Sequence, residues 1–163
     1  MAQAQNNSNV GPTETARQDD IELLSFGVGD HEYSVNIMSV REIRGWTKAT
    51  SLPHSPSYVH GVINLRGTVL PVIDLAKRLG LETKEPGERS VIIVIDLEGR
   101  TVGLRVDAVS DILSVAIDAL QPPPDILDDE NETFVRSLII IEDRMVRVLD
   151  LAAVLPSENE VAA

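Results

Sequence analysis

The sequence predicts an all-β fold, mainly antiparallel, in which two small five-stranded β-barrels share a core and short helices close their ends. Three observations predict it. Runs of four to eight residues rich in Val, Ile and Leu recur between Gly, Pro, Asp and Asn, the pattern of short strands separated by turns. Turn signals such as Arg66-Gly67 join neighbouring runs closely enough for hairpins and leave no room for parallel crossovers. The chain also repeats itself, each copy ending in a strand followed by Asp-Leu-Ala.

Taken in order, strands are expected at Glu22–Val28 and His31–Val35, joined by Gly29-Asp30, and then at Arg41–Trp46. The stretch Gly61 to Leu75, GVINLRGTVLPVIDL, carries most of the information in the chain. It places two apolar strands, Val59–Leu65 and Thr68–Ile73, about the Arg66-Gly67 turn, with a charged residue inside a long hydrophobic block. Pro71 has no N–H to give a neighbour, which puts the second strand at a sheet boundary. Asp74 can cap a helix through Leu79 that stops at Gly80. Strands Arg89–Leu97 and Arg100–Val106 flank Glu98-Gly99, and Ile112–Val115 follows. Val135–Ile141 and Met145–Leu149 flank Glu142-Asp143, and Asp150 caps a last helix that Pro156 ends.

A shift of 76 positions lays VLPVIDLAKRL over MVRVLDLAAVL, matching Asp74 to Asp150, and a shift of 69 lays Tyr33–Ile43 over Val102–Ile112. The difference between the shifts is absorbed by Gln121 to Thr133, a lengthened loop that begins with three prolines. Residues 1–18 are therefore expected as a disordered tail and 156–163 as a second tail. Residues 19–155 are expected as one domain of two barrels, about 30–82 and 88–155, with strand 21–28 joining the second.

Composition bounds the function. With 163 residues, 43% hydrophobic and 25% charged, the chain can bury a core, and its longest apolar runs, Val91 to Ile95 and Leu138 to Ile141, are too short to span a bilayer. A net charge of −12 works against nucleic acid, because a backbone binder needs clustered Lys and Arg. The aromatics Phe26, Tyr33, Trp46, Tyr58 and Phe134 are too few to stack bases. Without cysteine there is no disulfide or thiol chemistry, which suits the cytoplasm. Met1 to Gln18 lacks the basic start and apolar core of a secretory signal.

Catalytic templates fail. The chain has no G-x-S-x-G elbow, P-loop or dinucleotide fingerprint, so no cofactor is expected. His31, His54 and His60 have no metal-ligand spacing, and the carboxylate runs Asp19-Asp20 and Asp128-Asp129-Glu130 fall in polar segments. A small barrel enzyme or ligand-binding protein would need a pocket of convergent polar groups with a perturbed pKa.

The run GVINLRGTVLPVIDLAKRLGL, preceded by VREIRG and LPHSPSYVHG and followed by VGLRVDAVSDIL, resembles the CheW family of chemotaxis coupling proteins over roughly Ile21 to Leu155. The resemblance implies SH3-like barrels, no enzymatic activity, and a cytoplasmic adaptor in receptor arrays beneath the inner membrane. It would join methyl-accepting chemoreceptors to the regulatory domain of the histidine kinase CheA, with no nucleic acid and no membrane insertion. An adaptor for a pathway with a non-flagellar output is the alternative. By motif match, the receptor's helical hairpin would lie in a groove involving Val40, Glu42, Gly61, Arg66, Val91 and Ile112. Glu42 and Arg66 are expected to pair across it. Kinase contacts are expected at Leu52, Val69 and Ile126.

Overall fold

The computed structural model describes residues 20–123 and 134–156. Their strands are β1 (Asp20–Val28), β2 (His31–Asn36), β3 (Val40–Gly45), β4 (Val59–Leu65), β5 (Thr68–Asp74), β6 (Val91–Leu97), β7 (Arg100–Val106), β8 (Ala108–Ala116), β9 (Val135–Ile141) and β10 (Arg144–Leu149). One-turn helices α1 (Leu75–Arg78) and α2 (Leu151–Val154) follow β5 and β10. Residues 1–18, Ile126 and all of the second tail after Pro156 lie outside the described residues.

The strands form two five-stranded sheets, in the orders β3-β6-β7-β5-β4 and β8-β1-β2-β10-β9. The first is built from residues 40–106, the second from 20–36 together with 108–149. Strand 21–28 enters the second sheet as expected, but it brings β2 with it, and β6 and β7 pass to the first. The boundaries 30–82 and 88–155 are thus corrected. Two-residue turns bind β1 to β2 and β6 to β7 as hairpins, so neither strand can leave without its mate. In terms of the repeat, each half gives its first hairpin to the other half's last three strands.

This exchange creates the two parallel pairings that hairpin logic excluded. β5 runs parallel to β7 through Val72↔Gly103, Ile73↔Leu104 and Asp74↔Arg105. β10 runs parallel to β2 through Val146↔Glu32, Arg147↔Tyr33 and Val148↔Ser34. No crossover helix is needed, because the paired strands come from different hairpins. The parallel ladder begins just after Pro71, so Thr68–Pro71 is open on that side. Pro71 therefore marks a local edge within an interior strand.

Three apolar clusters follow from strand alternation. Ile63, Leu65, Leu70, Val72, Ile92 and Val94 fill the first sheet, and Leu23, Leu113, Val115, Ile139, Val146 and Val148 fill the second. Between them Phe26, Val35, Ile73, Ile93, Ile95, Leu104 and Leu149 join the shared core. Strand β6 is buried on both faces, which is why it reads as a continuous apolar run. Each such side chain contributes about 1.5–3 kcal/mol.

Asp74 and Asp150 cap their helices, each carboxylate accepting from a backbone N–H three residues on at 3.4 Å. Their own N–H groups donate to the carbonyls of Tyr58 and Phe134, each at 2.8 Å. Arg78 ties the two ends together. Its guanidinium lies 4.1 Å from the Tyr58 ring centroid and 5.1 Å from that of Phe134, and it donates to the carbonyls of Val154 and Ala153.

Candidate functional site

Strands β3 and β4 are the two edges of the first sheet, and a charged contact closes the gap between them. Arg66 occupies the β4–β5 turn with φ 52°, followed by Gly67 at φ 87°. Such a primed turn suits the twist of a hairpin, although a side chain there costs roughly 1–2 kcal/mol. The Asn64 carboxamide oxygen accepts from the Gly67 N–H at 2.9 Å and fixes the turn. From this position Arg66 Nη2 donates to Glu42 Oε1 on β3, while Arg44 Nη1 lies 3.4 Å from Glu42 Oε2.

The Arg66 hydrogen bond holds the Glu42 carboxyl below its ordinary 4.5, against partial desolvation that pushes it up, with Arg44 adding to the lowering. The expected Glu42–Arg66 pair is therefore present. Arg66 is the basic member of a set of primed-turn residues that is otherwise acidic, Glu98, Glu142 and Asp143 also having positive φ.

The remaining expected residues are spread over the molecule. Val40 and Val91 are half-buried and both pack against the shared core. They sit at opposite ends of the β3–β6 ladder, Val40 facing Ile95 and Val91 facing Gly45, about 13 Å apart along β6. Ile112 is 54% exposed on β8, an edge of the other sheet. Val69 is 63% exposed on β5, and Leu52 is half-buried in the loop between β3 and β4.

Gly61 is explained by its own neighbourhood. Thr50 and Val62 exchange both backbone hydrogen bonds, at 2.9 and 2.8 Å, which draws the β3–β4 loop onto the edge of β4. A Cβ on Gly61 would stand 2.4 Å from the Thr50 carbonyl oxygen.

Sequence reasoning missed a buried ion pair. Arg105 Nη1 lies 3.2 Å from Asp74 Oδ2, with the two side chains 4% and 5% exposed. Arg105 also donates to the Lys84 carbonyl and lies 5.6 Å from the Trp46 ring centroid. His60 makes an edge contact with Trp46, ring centroids 5.1 Å apart. Burial pushes the His60 imidazole below 6.5, Asp74 opposes this, and Arg105 and Lys77 reinforce it. Alternation in VGLRV puts Arg105 on the face opposite Val102, Leu104 and Val106, where a charge reads as solvent-exposed, so the sequence carried no signal for its burial. Among the described residues, no three His, Asp or Glu side chains are grouped as a metal ion would need, and no helix is long and apolar enough to cross a membrane.

Two five-stranded sheets around one core, one of them closed by an exposed ion pair, define a double-barrel β module. Residues 22–159 match the CheW-like domain. The chain is 56% identical over 142 residues to Chemotaxis protein CheW of Rhizobium meliloti (strain 1021), a match covering 87% of this chain and 92% of that protein. It is 33% identical over 141 residues to Chemotaxis protein CheW of Bacillus subtilis (strain 168), covering 86% and 90%. The crystal structure of scaffolding protein TtCheW from Thermoanaerobacter tengcongensis matches with a TM-score of 0.79 at 28% identity, over 87% of this chain and 97% of that one. The chain belongs to the CheW family of chemotaxis scaffold proteins.

Proposed function

We propose that this protein is a non-enzymatic adaptor that couples the cytoplasmic tips of chemoreceptors to the histidine kinase CheA, in arrays beneath the inner membrane. The observation that carries the reading is the Glu42–Arg66 pair, a fixed and exposed charge feature that closes one barrel at its edge strands. A helical hairpin bound in an apolar groove needs buried anchors and a charge to set its register. Val40, Val91, Gly61 and Ile112 are assigned to the groove with the pair, and Leu52, Val69 and Ile126 to the kinase. The exposure of Val69 supports a docking role.

Co-sedimentation with receptor-containing membranes tests the coupling. Kinase is expected to pellet with the membranes only when this protein is present. Kinase that stays soluble in its presence defeats the reading. Arg66→Glu places two acids together and is expected to abolish pelleting of the adaptor with receptor. An unchanged distribution removes the pair from the interface.

A further inference from the structure

A cleft of about 220 Å³ opens beside the Glu42–Arg66 pair, lined by Arg41, Leu65, Arg66, Thr68, Leu70 and Thr101. Its polar lining residues are two arginines and two threonines, and no acidic residue is among them. The register of β3 explains how Arg41 reaches it. Val40 faces Ile95 and Glu42 faces the adjacent Val94, which leaves Arg41 as the extra residue of a β-bulge. Bulges re-aim a side chain out of strand alternation.

Each arginine is oriented by an internal carboxylate and keeps donors to spare. Arg41 Nη1 lies 3.5 Å from Asp96 Oδ2 and 3.4 Å from the Thr101 hydroxyl, and Arg66 meets Glu42. A guanidinium carries five N–H donors, and Arg41 uses only Nη1 for its two contacts and Arg66 only Nη2 for its one, which leaves most of them for a ligand. The two side chains are 57% and 68% exposed.

The second sheet supplies a control. The repeat shifts lay Arg41, Thr101, Arg66 and Thr68 on Ser110, Glu32, Glu142 and Arg144. Two cations with two hydroxyls thus stand where the other half has two acids, one cation and one hydroxyl. The cleft's own side chains are therefore richer in N–H and O–H donors than their counterparts, with Asp96 and Glu42 standing beside the two arginines.

We propose that the cleft is a carboxylate-binding subsite that takes an Asp or Glu side chain of the helical protein docking beside Arg66, with Arg41 as a specificity-determining contact. The proposal rests on the receptor-coupling reading and adds the partner's chemistry to it. Two forked guanidinium groups can hold one carboxylate from two directions, which fixes the rotation of the docked helix.

The test is calorimetric titration of the full chain with a soluble cytoplasmic fragment of a chemoreceptor that retains its hairpin tip. Arg41→Gln is expected to weaken binding about tenfold and to reduce its salt dependence, whereas the exposed Arg89→Gln leaves both unchanged. Thermal melting of Arg41→Gln should match the parent, since Arg41 is largely exposed. Binding by Arg41→Gln within twofold of the parent overturns the subsite, as does an equal loss in Arg89→Gln, which would reduce the effect to net charge. A parent chain that does not bind the fragment overturns the coupling reading instead, and the subsite with it.

Discussion

In the first sheet Glu42 and Arg66 meet across the gap between β3 and β4, whereas the same two places in the second sheet hold Asp111 and Glu142, both acidic. The scaffold around these places is repeated: primed turns at both hairpins, Asp caps on both helices, and matching parallel ladders. What differs is charge. Asp74 has Arg105 against it, while the place of Arg105 in the other half is held by Asn36, whose side chain accepts from the Met38 N–H at 2.9 Å. Arg78, which packs against both Tyr58 and Phe134, has Val154 as its counterpart. Duplicated architecture therefore supplies the fold, and the copies differ in the charges placed on it, at the exposed Glu42–Arg66 pair and at the buried Asp74–Arg105 pair alike.

Substitutions at matched positions break this comparison, and the largest effect is expected at Arg105. Arg105→Met leaves Asp74 buried without its cation and should destabilise the protein by about 3–5 kcal/mol in urea unfolding. Asn36→Ala, at the matched place, should cost only about 1 kcal/mol. Equal losses would mean that the buried pair does not distinguish the halves. Next comes Gly61→Ala, which pushes a Cβ into the Thr50 carbonyl and should cost about 1–3 kcal/mol. Its counterpart, Ser137, already carries a Cβ, so Ser137→Ala should be nearly silent in the same assay.

Arg78→Leu tests the tie between the two ends. It removes two hydrogen bonds and two ring contacts, for an expected loss of about 1–3 kcal/mol in thermal unfolding. The smallest effect concerns pH. Because Arg66 lowers the folded-state pKa of Glu42, the carboxylate's stabilising contribution is complete above the unfolded value of 4.5 and is lost as pH falls through the lower folded value. Side-chain NMR should show Glu42 titrating below 4.5 in the parent and moving upward in Arg66→Gln. A midpoint that does not move would remove Arg66 as the cause.

Much of the fold was legible because its determinants are local. Alternating apolar runs, primed turns and Asp caps each depend on a few neighbouring residues, and all ten strands and both helices fall where those signals stand. Strand β8 was underestimated, as Ala108–Ala116 against an expected Ile112–Val115, because Ser110 and Asp111 on an exposed edge lack an apolar pattern. The exchange of whole hairpins was not legible. It is decided by which apolar faces meet across the shared core, and hairpins of similar composition carry no label for their destination. At the site, the Glu42–Arg66 pair was expected because the resemblance to the CheW family brings their two motifs close, and their opposite charges alone would not have paired residues 24 positions apart. Arg41 escaped notice because its placement at the cleft depends on a bulge, a feature of register between two strands and not of either alone. The Asp74–Arg105 pair escaped for the same reason, being formed across a parallel ladder.

The exchanged hairpins also set an order of events during synthesis. The first sheet draws on residues 40–106 and can close before the rest of the chain has left the ribosome. The β1–β2 hairpin, made earliest, must wait for β10, and the Ser34 hydroxyl meets its acceptor at Arg147, 113 positions further along the chain. Until then its apolar edge stands open, so a nascent chain stalled before residue 144 is the form most exposed to wrong strand pairing.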